Sequence, residues 1–465
     1  MKPLNPIRLS GREVLPLIEG GKGISVSNGE SSGAWSAAGG VGTFSAVNAD
    51  ALDAQGNLIP IIYKGQTRKE RHRELIAYAI EGGITQAKIA HDTSRGEGRL
   101  HMNVLWEMAA VEHILHGVLE KVSPLIHGVT CGAGMPYKIA QITASYGIYY
   151  YPIVSSGRAF RALWKRAYHK FPEWLGAVVY EDPWRAGGHN GLSNSEDPEK
   201  PEDPYPRVLE LRKVMRECGL HDTPIVMAGG VWYLREWTDW IDNPELGPIA
   251  FQLGTRPLLT QESPISDAWK KRLCTLKPGD IYLNRFSPTG FYSSAVSNPY
   301  LDELKGRSAR QVAYSITPVG DHTEGFPVGA RGRLVFLTPH DKEMAESWVR
   351  MGYTEAMRTP DSTLIFVTPE KSNDILTDQI NCMGCLSACL FSNWSQDESG
   401  TTGRKADPRS FCIQKTLQAI SHSDEVDNQL MFAGHGAYRF AEDPFYANGF
   451  IPTVKDLVER LQTGD

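Results

Sequence analysis

The strongest constraint on the fold is an alternation of short apolar runs with amphipathic stretches over roughly the first 270 residues. The apolar runs are rich in β-branched residues and predict eight strands, over residues 24–28, 41–47, 101–106, 125–131, 147–154, 177–181, 224–228 and 249–253. The stretches between them have helical spacing and are long enough to cross over a parallel sheet, as in residues 68–81, 108–121, 158–169 and 208–218. Eight strands that alternate with helices predict an α/β fold, the (β/α)8 TIM barrel, with a doubly wound open sheet as the alternative.

The alternation stops at residue 267. Residues 277–327 are rich in Gly, Pro, Ser and Tyr without clear periodicity, and residues 334–336 and 363–368 predict isolated strands. We therefore expect a barrel over residues 1–275, a second, irregular domain with a cysteine cluster over 276–420, and a C-terminal segment over 421–465. Helical apolar spacing over residues 454–461 predicts that this last segment packs back on the barrel.

Charge and hydropathy exclude two classes of partner. The 465 residues include 48 Lys and Arg and 54 Asp and Glu, a net charge of −6 with no basic run, so nucleic-acid binding has no electrostatic support. No stretch reaches the ~18 to 20 apolar residues that a membrane helix needs. Because residues 1–20 also lack the apolar core of a signal peptide, we expect a cytoplasmic protein without a membrane partner.

Glycine-bearing turns follow the last two predicted strands. Gly229 and Gly230 follow the seventh strand, and Gly254 and Thr255 follow the eighth. Phosphate groups in barrels usually bind the loops after these two strands, where a backbone without Cβ atoms can approach an anion. Each turn alone is common, but the two together predict a phosphorylated ligand.

A second group of glycines lies near the N-terminus. It consists of Asn28 and Gly29, followed by Gly39 and Gly40. Glycines at a strand end allow the backbone to lie flat against a planar ring system. We expect these four residues to contact an isoalloxazine ring, with a pair of flexible turns as the alternative.

One histidine has a context that favours catalysis. His189 lies in the run Gly-Gly-His-Asn-Gly (187–191), just past the predicted strand 177–181 and so at the face where barrel active sites form. A pKa near neutrality suits histidine to proton transfer. Among the 13 histidines, His189 is therefore the candidate acid or base, with a structural histidine as the alternative.

Several motifs together resemble those of one enzyme family. They are Ala-Gly-Gly-Val-Gly (38–42), Cys-Gly-Ala-Gly-Met-Pro (131–136), Pro-Ile-Val-Ser (152–155), Gly-Gly-His-Asn-Gly (187–191), Ala-Gly-Gly (228–230) and Gly-Thr-Arg (254–256). The set is similar to that of the nitronate monooxygenases, also named 2-nitropropane dioxygenases. That family includes the FMN-dependent enoyl-acyl carrier protein reductases, and the resemblance covers about residues 24–264.

The resemblance implies an FMN-binding barrel. Gly229, Gly230, Gly254 and Thr255 would bind the FMN phosphate, and Gly188 and His189 would lie beside the flavin. In the monooxygenases the matching histidine assists deprotonation of the nitroalkane or orients the nitronate, and in the reductases it helps to protonate or polarise a thioester. The implied substrate is a small molecule or an acyl thioester, and the implied electron donor is NAD(P)H or a protein.

An acidic, proline-rich insertion departs from the family pattern. It covers residues 193–204, directly after the Gly-Gly-His-Asn-Gly motif. It is either a lid or a solvated loop, and we favour the loop.

Four of the seven cysteines are grouped and predict a metal site. Cys382, Cys385 and Cys389 have C-x2-C-x3-C spacing, and Cys412 is the natural fourth ligand. An odd number of cysteines does not make a disulfide framework, and such a group in a reducing compartment is typical of metal binding. Four thiolates satisfy either tetrahedral zinc or an iron–sulfur cluster, and spacing does not separate the two.

A second resemblance favours the cluster. The run 382–389 is similar to the cluster-binding stretch of dienoyl-CoA reductase-type flavoenzymes, which are FMN barrels with a 4Fe–4S cluster, although their last cysteine lies nearer than Cys412 does here. Zinc and unligated thiols are the alternatives. A cluster exchanges single electrons with a flavin, which favours a reductase or dehydrogenase over an oxygen-dependent monooxygenase.

The expected function is therefore an FMN-dependent oxidoreductase with His189 as acid/base and a 4Fe–4S cluster. An enoyl-thioester reductase that uses NAD(P)H is the first alternative, and a non-catalytic barrel with structural zinc is the second. A phosphosugar enzyme with zinc is supported only by the phosphate turns. Residues 434–440, with His435 and Arg439, are a candidate contact to flavin or substrate, and a structural turn is the favoured interpretation.

Overall fold

Eight parallel strands form a closed barrel in the computed structural model, which describes residues 1–329 and 331–465. The barrel strands are β1 (Leu17–Glu19), β2 (Val41–Ser45), β3 (Arg99–Leu105), β4 (Gly128–Gly132), β5 (Tyr149–Val154), β6 (Val178–Glu181), β7 (Ile225–Ala228) and β8 (Ile249–Leu253). The barrel closes because β1 pairs with both β8 and β2. Closure confirms the predicted (β/α)8 fold and rules out the open sheet.

The first barrel strand differs from the sequence prediction. The predicted strand over residues 24–28 is wrong, because Ile24 lies in a turn and Asn28 caps the following helix. The observed β1 has only three residues and is followed by Gly20 and Gly21, which makes it too short to show a strand pattern in the sequence. The other seven predicted strands overlap β2 to β8.

Helices surround the barrel and continue into the C-terminal half. They are α1 (Gly29–Ala37), α2 (Arg68–Ser94), α3 (Val111–Val122), α4 (Ile139–Ser145), α5 (Gly157–Arg166), α6 (Pro204–Glu217), α7 (Asp267–Leu273), α8 (Pro299–Ala309), α9 (Pro339–Arg350), α10 (Pro369–Ile380), α11 (Ile413–Gln418), α12 (Arg439–Glu442) and α13 (Val454–Gln462). The four predicted crossover stretches match α2, α3, α5 and α6. Helix α2 begins at a capping box in which Thr67 and Glu70 satisfy each other's backbone N–H groups.

The region after the barrel contains more regular structure than the sequence predicts. Strands Ile281–Asn284 and Ser293–Val296 form a hairpin, and Gly188–His189 pairs with the second of them. Residues 277–327 therefore are not irregular throughout. This hairpin attaches the second region directly to the segment that follows β6.

A small lobe has its own apolar cluster. Strands Gln311–Ala313, Glu355–Arg358 and Thr363–Val367 form one antiparallel sheet beside the hairpin Glu324–Val328 and Arg333–Leu337. The buried side chains between these strands and α9 form a cluster separate from the main core. The strands predicted near residues 334–336 and 363–368 lie in this lobe.

The C-terminal helix contacts the barrel. Val454, Leu457 and Leu461 of α13 are buried, and α13 packs against α1. The backbone N–H of Val454 donates to the Glu262 carboxylate, which caps the helix start. None of the helices in the two described ranges is long and apolar enough to span a bilayer.

Candidate active site

The carboxyl ends of the barrel strands open into a cavity of about 210 Å³, which we call the central cavity. Barrel active sites form at this end of the strands. The segments after β1, β6, β7 and β8 line one side, and residues between 385 and 436 line the other. The second half of the chain therefore completes the site. The predicted catalytic and flavin-binding residues that line the cavity are Gly188, His189, Gly229, Gly230, Gly254 and Thr255, and the predicted metal ligand Cys385 lines it as well.

The turns after β7 and β8 form a backbone cradle. Gly229 and Gly230 have φ values of +91° and +77°, which only glycine adopts without strain. A Cβ on Gly254 would meet no atom within 4 Å, so this position faces open space. Backbone N–H groups in such turns can approach an anion, and the cradle fits a phosphate group. The Thr255 hydroxyl accepts a 2.9 Å bond from the Gly434 N–H and ties the cradle to the C-terminal segment.

Gly254→Leu tests the phosphate cradle. Gly254 has no positive φ and no neighbour that a Cβ would clash with, so we expect the variant to fold while its side chain fills the cradle and lowers the bound FMN to below about a tenth. The measurement is the ratio of flavin to protein after gel filtration. Gly325→Leu, at a similarly open strand position in the small lobe, is the matched control. Full flavin retention in Gly254→Leu would contradict the phosphate assignment.

The glycines near the N-terminus lie elsewhere. Asn28 accepts the N–H of Ser31 and caps α1, and the Gly29 N–H donates to Gln86 of α2. Gly39 and Gly40 connect α1 to the amino end of β2, at the opposite end of the barrel from the central cavity. The structure does not bring these four residues to the cavity, because they serve helix capping and packing.

The run Gly20–Gly21–Lys22–Gly23, which directly follows β1, lines the cavity instead. A Cβ on Gly21 would overlap the Asn103 side chain. Lys22 Nζ donates to the Gly20 carbonyl at 2.8 Å and lies 3.3 Å from Glu19 Oε1. Burial lowers the pKa of Lys22, and the Glu19 charge opposes that shift. The close spacing of Gly20, Gly21 and Gly23 indicates a cavity wall. The sequence prediction missed it because it placed the first strand at residues 24–28.

His189 is held by residues from the second region of the chain. Its Nε2 lies 2.6 Å from Ser287 Oγ, and the Ser287 hydroxyl also lies 2.8 Å from Thr289 Oγ1. The Phe432 ring packs edge-on against the imidazole at 5.4 Å. Burial lowers the pKa of His189 to about 4, so the imidazole is neutral at neutral pH.

The second ring nitrogen of His189, Nδ1, is available for proton transfer. Ser287 occupies Nε2, and within the described residues Nδ1 has no hydrogen-bond partner. Because Ser287 can donate to or accept from the ring, Nδ1 can carry a proton or present a lone pair. A neutral imidazole in a cavity can therefore take a proton from a carbon acid or donate a hydrogen bond to a substrate oxygen.

The segment 434–440 reaches the cavity only in part. Gly434 and Gly436 line it, whereas His435 lies one layer behind, with Nε2 3.2 Å from Ser294 Oγ. Arg439 pairs with Glu236 at 2.8 Å, away from the cavity. The candidate contact of the segment with a ligand is therefore limited to its glycines.

The acidic insertion 193–204 consists of turns and irregular chain without helix or strand until α6 begins at Pro204. Glu196 and Glu202 both bind Arg207 of α6, at 2.6 and 2.7 Å. No residue of the insertion lines the central cavity. This arrangement matches a loop tied to α6 rather than a lid.

All four grouped cysteines line a second, small cavity, which we call the cysteine site. Its other walls include Met383, Phe391 and Ile413, which are apolar. Cys385 and Ile413 also line the central cavity. The two sites therefore share a wall.

Backbone N–H groups point at the cysteine sulfurs. The Gly384 N–H donates to Cys382 Sγ at 3.4 Å. Burial raises the pKa of Cys385 and Cys412, and backbone hydrogen bonds from Gln414 and Lys415 at the start of α11 act in the opposite direction. Similar bonds from residues 391 and 392 reach Cys389, whose pKa burial also raises. Such donors stabilise sulfur in its anionic form.

Helix α2 fixes the backbone of the cysteine site. The guanidinium groups of Arg68 and Arg71 donate to the carbonyls of Ser392 and Cys382, at 2.9 and 3.1 Å. His72 Nδ1 lies 3.0 Å from the Gly384 carbonyl. The two arginines thus fix the backbone of the segment that carries the thiols.

The described side chains of the cysteine site are not arranged around a single metal ion. Among the residues that the structure describes, no three His, Cys, Asp or Glu side chains are arranged to hold a metal ion. Tetrahedral zinc would need its sulfurs about 3.8 Å apart, given a Zn–S distance of about 2.3 Å. The number and type of the thiols suit a soft metal centre, but their positions do not form a zinc site.

Comparison with known proteins identifies the family. The nitronate monooxygenase family model matches residues 111–464. No curated protein matches the chain. Two solved structures share the fold: FabK from Thermotoga maritima and the enoyl reductase domain of MlnA from the macrolactin biosynthesis cluster of Bacillus amyloliquefaciens. FabK is 14% identical, with 97% of this chain and 92% of that chain covered and a TM-score of 0.50. For the MlnA domain the values are 12%, 97%, 93% and 0.51.

The family match covers more than half of the chain, and it includes His189, the phosphate cradle and all four residues of the cysteine site. The chain therefore belongs to the nitronate monooxygenase family and is an FMN-dependent oxidoreductase.

Proposed function

We propose that this enzyme exchanges electrons between its flavin and a 4Fe–4S cluster held by Cys382, Cys385, Cys389 and Cys412. The observation that carries the proposal is the position of Cys385, which lines both the central cavity and the cysteine site. When bound, FMN supplies one- or two-electron chemistry and a 4Fe–4S cluster supplies one-electron exchange. Residues that line both sites keep the two centres close together, which favours such exchange.

The polypeptide supports an anionic cluster in three ways. Cys382, Cys385 and Cys389 are buried and Cys412 is half-buried, which limits the access of water to the thiols. Backbone N–H groups donate to their sulfurs, and Arg68 and Arg71 fix the backbone that carries them. In a four-iron cluster each cysteine binds a different iron, so the sulfurs need not converge on one ion. The absence of a single-ion geometry among the described residues therefore disfavours zinc more than it disfavours a cluster.

We further propose that His189 exchanges a proton with the substrate. Its Nδ1 is free of hydrogen bonds to the described residues, and Ser287 holds the ring from the other side. The glycine cradle after β7 and β8 would hold the FMN phosphate. Apolar residues of the C-terminal wall, such as Leu417, Ile420 and Met431, would keep water from the reacting atoms.

An ultraviolet–visible spectrum with iron, zinc and flavin analysis tests the proposal. We expect protein purified without oxygen to show flavin bands over a broad absorption, with about four irons per chain. Zinc in place of iron, or thiols without metal, would overturn the cluster. Absence of flavin after reconstitution with FMN would contradict the assignment of the central cavity.

Reduction of an enoyl thioester is the second candidate activity. The enoyl reductase domain of MlnA matches 97% of this chain, second region included, which favours that substrate class as an alternative to nitroalkanes. The two are separated by comparing NAD(P)H oxidation with crotonyl-CoA against oxygen uptake with nitroethane. Thioester-dependent NAD(P)H oxidation without nitroethane turnover would establish the reductase, and the reverse result would establish nitronate oxidation.

A further inference from the structure

We propose that Glu181 is a second acid–base residue of the central cavity and that its carboxyl group gives the substrate its proton. The inference rests on the proposed oxidoreductase function and adds the proton donor to it. In the reductive direction the O–H bond of Glu181 breaks as a C–H bond forms at the substrate carbon that carries negative charge. When bound, reduced FMN would supply the hydride for the neighbouring carbon and would itself be oxidised, and the Glu181 carboxylate would regain its proton from water.

Glu181 lies where a reacting group must be. It is the last residue of β6, pairs in register with Ala228 of β7, and lines the central cavity. Ala228 directly precedes the phosphate cradle, and His189 lines the same cavity. The carboxyl group therefore faces the space that the cofactor and substrate share.

No side chain among the described residues holds the Glu181 carboxyl group in place. Within the described part of the chain, Glu181 makes no side-chain hydrogen bond and no ion pair. The other charged residues at the cavity have partners: Lys22 is 3.3 Å from Glu19, and Arg185 is 3.9 Å from Asp182. Arg207, from the helix packed on β6, binds Tyr180 and Glu196 instead. Glu181 is half-buried, and a carboxyl without a cation is costly to cover with a ligand unless it is protonated or hydrogen-bonded by that ligand.

The surroundings of Glu181 keep it protonated. Burial, with a smaller contribution from the Asp182 charge, raises the pKa of Glu181 to about 8. His189 shifts the other way, to about 4, through burial. At pH 7 only about one His189 in 10³ carries the extra proton, whereas most Glu181 carboxyls carry theirs. Opposite shifts of this kind leave Glu181 as the proton donor and neutral His189 as a group that can accept a proton.

The test compares Glu181→Gln with wild-type holoenzyme. Glutamine keeps the size and a hydrogen-bond donor but cannot release a proton. The flavin is photoreduced without oxygen, mixed with crotonyl-CoA, and its reoxidation followed across pH. We expect wild-type reoxidation to slow as pH rises through about 8, and the variant to be ~10²-fold slower without that dependence. Equal rates and an unchanged pH profile would overturn the proposal.

A second measurement needs no substrate. Infrared difference spectra between about pH 6 and pH 10 should contain a protonated-carboxyl band in wild type that is missing in Glu181→Gln. If the band persists in Glu181→Gln, it comes from another carboxyl group and the proposal fails. Glu107→Gln is the matched control, since burial raises the pKa of Glu107 as well but Glu107 does not line the cavity. Loss of flavin from the wild type would instead count against the oxidoreductase function.

Discussion

Replacing His189 by alanine is expected to lower turnover by ~10²-fold or more while FMN stays bound. The side chain lines the central cavity with a free Nδ1, but the cradle that fits the phosphate is built from other residues. The measurements are kcat with crotonyl-CoA or nitroethane, whichever the wild-type enzyme turns over, and the flavin-to-protein ratio of the purified variant. Unchanged turnover would remove His189 from the mechanism.

Two further variants separate chemistry from packing at His189. Ser287→Ala leaves the imidazole in place but removes its 2.6 Å hydrogen bond, so we expect a loss of about 5- to 10-fold, equal to about 1 kcal/mol. His435→Ala removes another half-buried histidine with a pKa lowered by burial, one layer behind the cavity wall. Its turnover should stay within about twofold of wild type. An equally large loss in all three variants would indicate a general packing effect.

Replacing Cys385 by serine is expected to remove most of the iron and to bleach the broad visible absorption, while the flavin bands remain. Serine is a poor ligand for soft metals, and Cys385 lies on the wall shared by the two sites. Iron analysis and the visible spectrum of anaerobic protein provide the measurement. Cys218→Ser, at the end of α6 and far along the chain from the grouped cysteines, is the control. Iron content that does not change in Cys385→Ser would show that the ligand assignment is wrong.

Sequence pattern predicted the barrel because each strand from β2 to β8 is long enough to show an apolar run and each of them except β7 is followed by an α-helix. The pattern failed at β1, because this strand has only three residues and is followed directly by Gly20 and Gly21. The apolar residues near Ile24 form a wall of the central cavity instead. An apolar, β-branched run fits a cavity wall as well as a strand, so composition alone could not distinguish the two.

The site was predictable where its signal is local. The glycine turns, His189 and the four cysteines each occupy a short stretch, and the structure brings the cysteines to one small cavity. Ser287 was not predictable, since it meets His189 across 98 residues through a hairpin that the sequence did not show. Glu181 could have been predicted from the sequence, because it is a carboxylate at the carboxyl end of a barrel strand, where barrel active sites form.

The wall of the central cavity formed by Phe432, Ala433 and Gly434 has a consequence for biosynthesis. These residues contact Gly187 and Gly188, yet a ribosome adds them only after more than nine-tenths of the 465 residues. A nascent chain that has reached residue 275 contains all eight barrel strands but leaves the cavity open. A flavin bound at that stage would lack the wall that Phe432, Ala433 and Gly434 provide, so a closed cavity forms only after these residues have been synthesised.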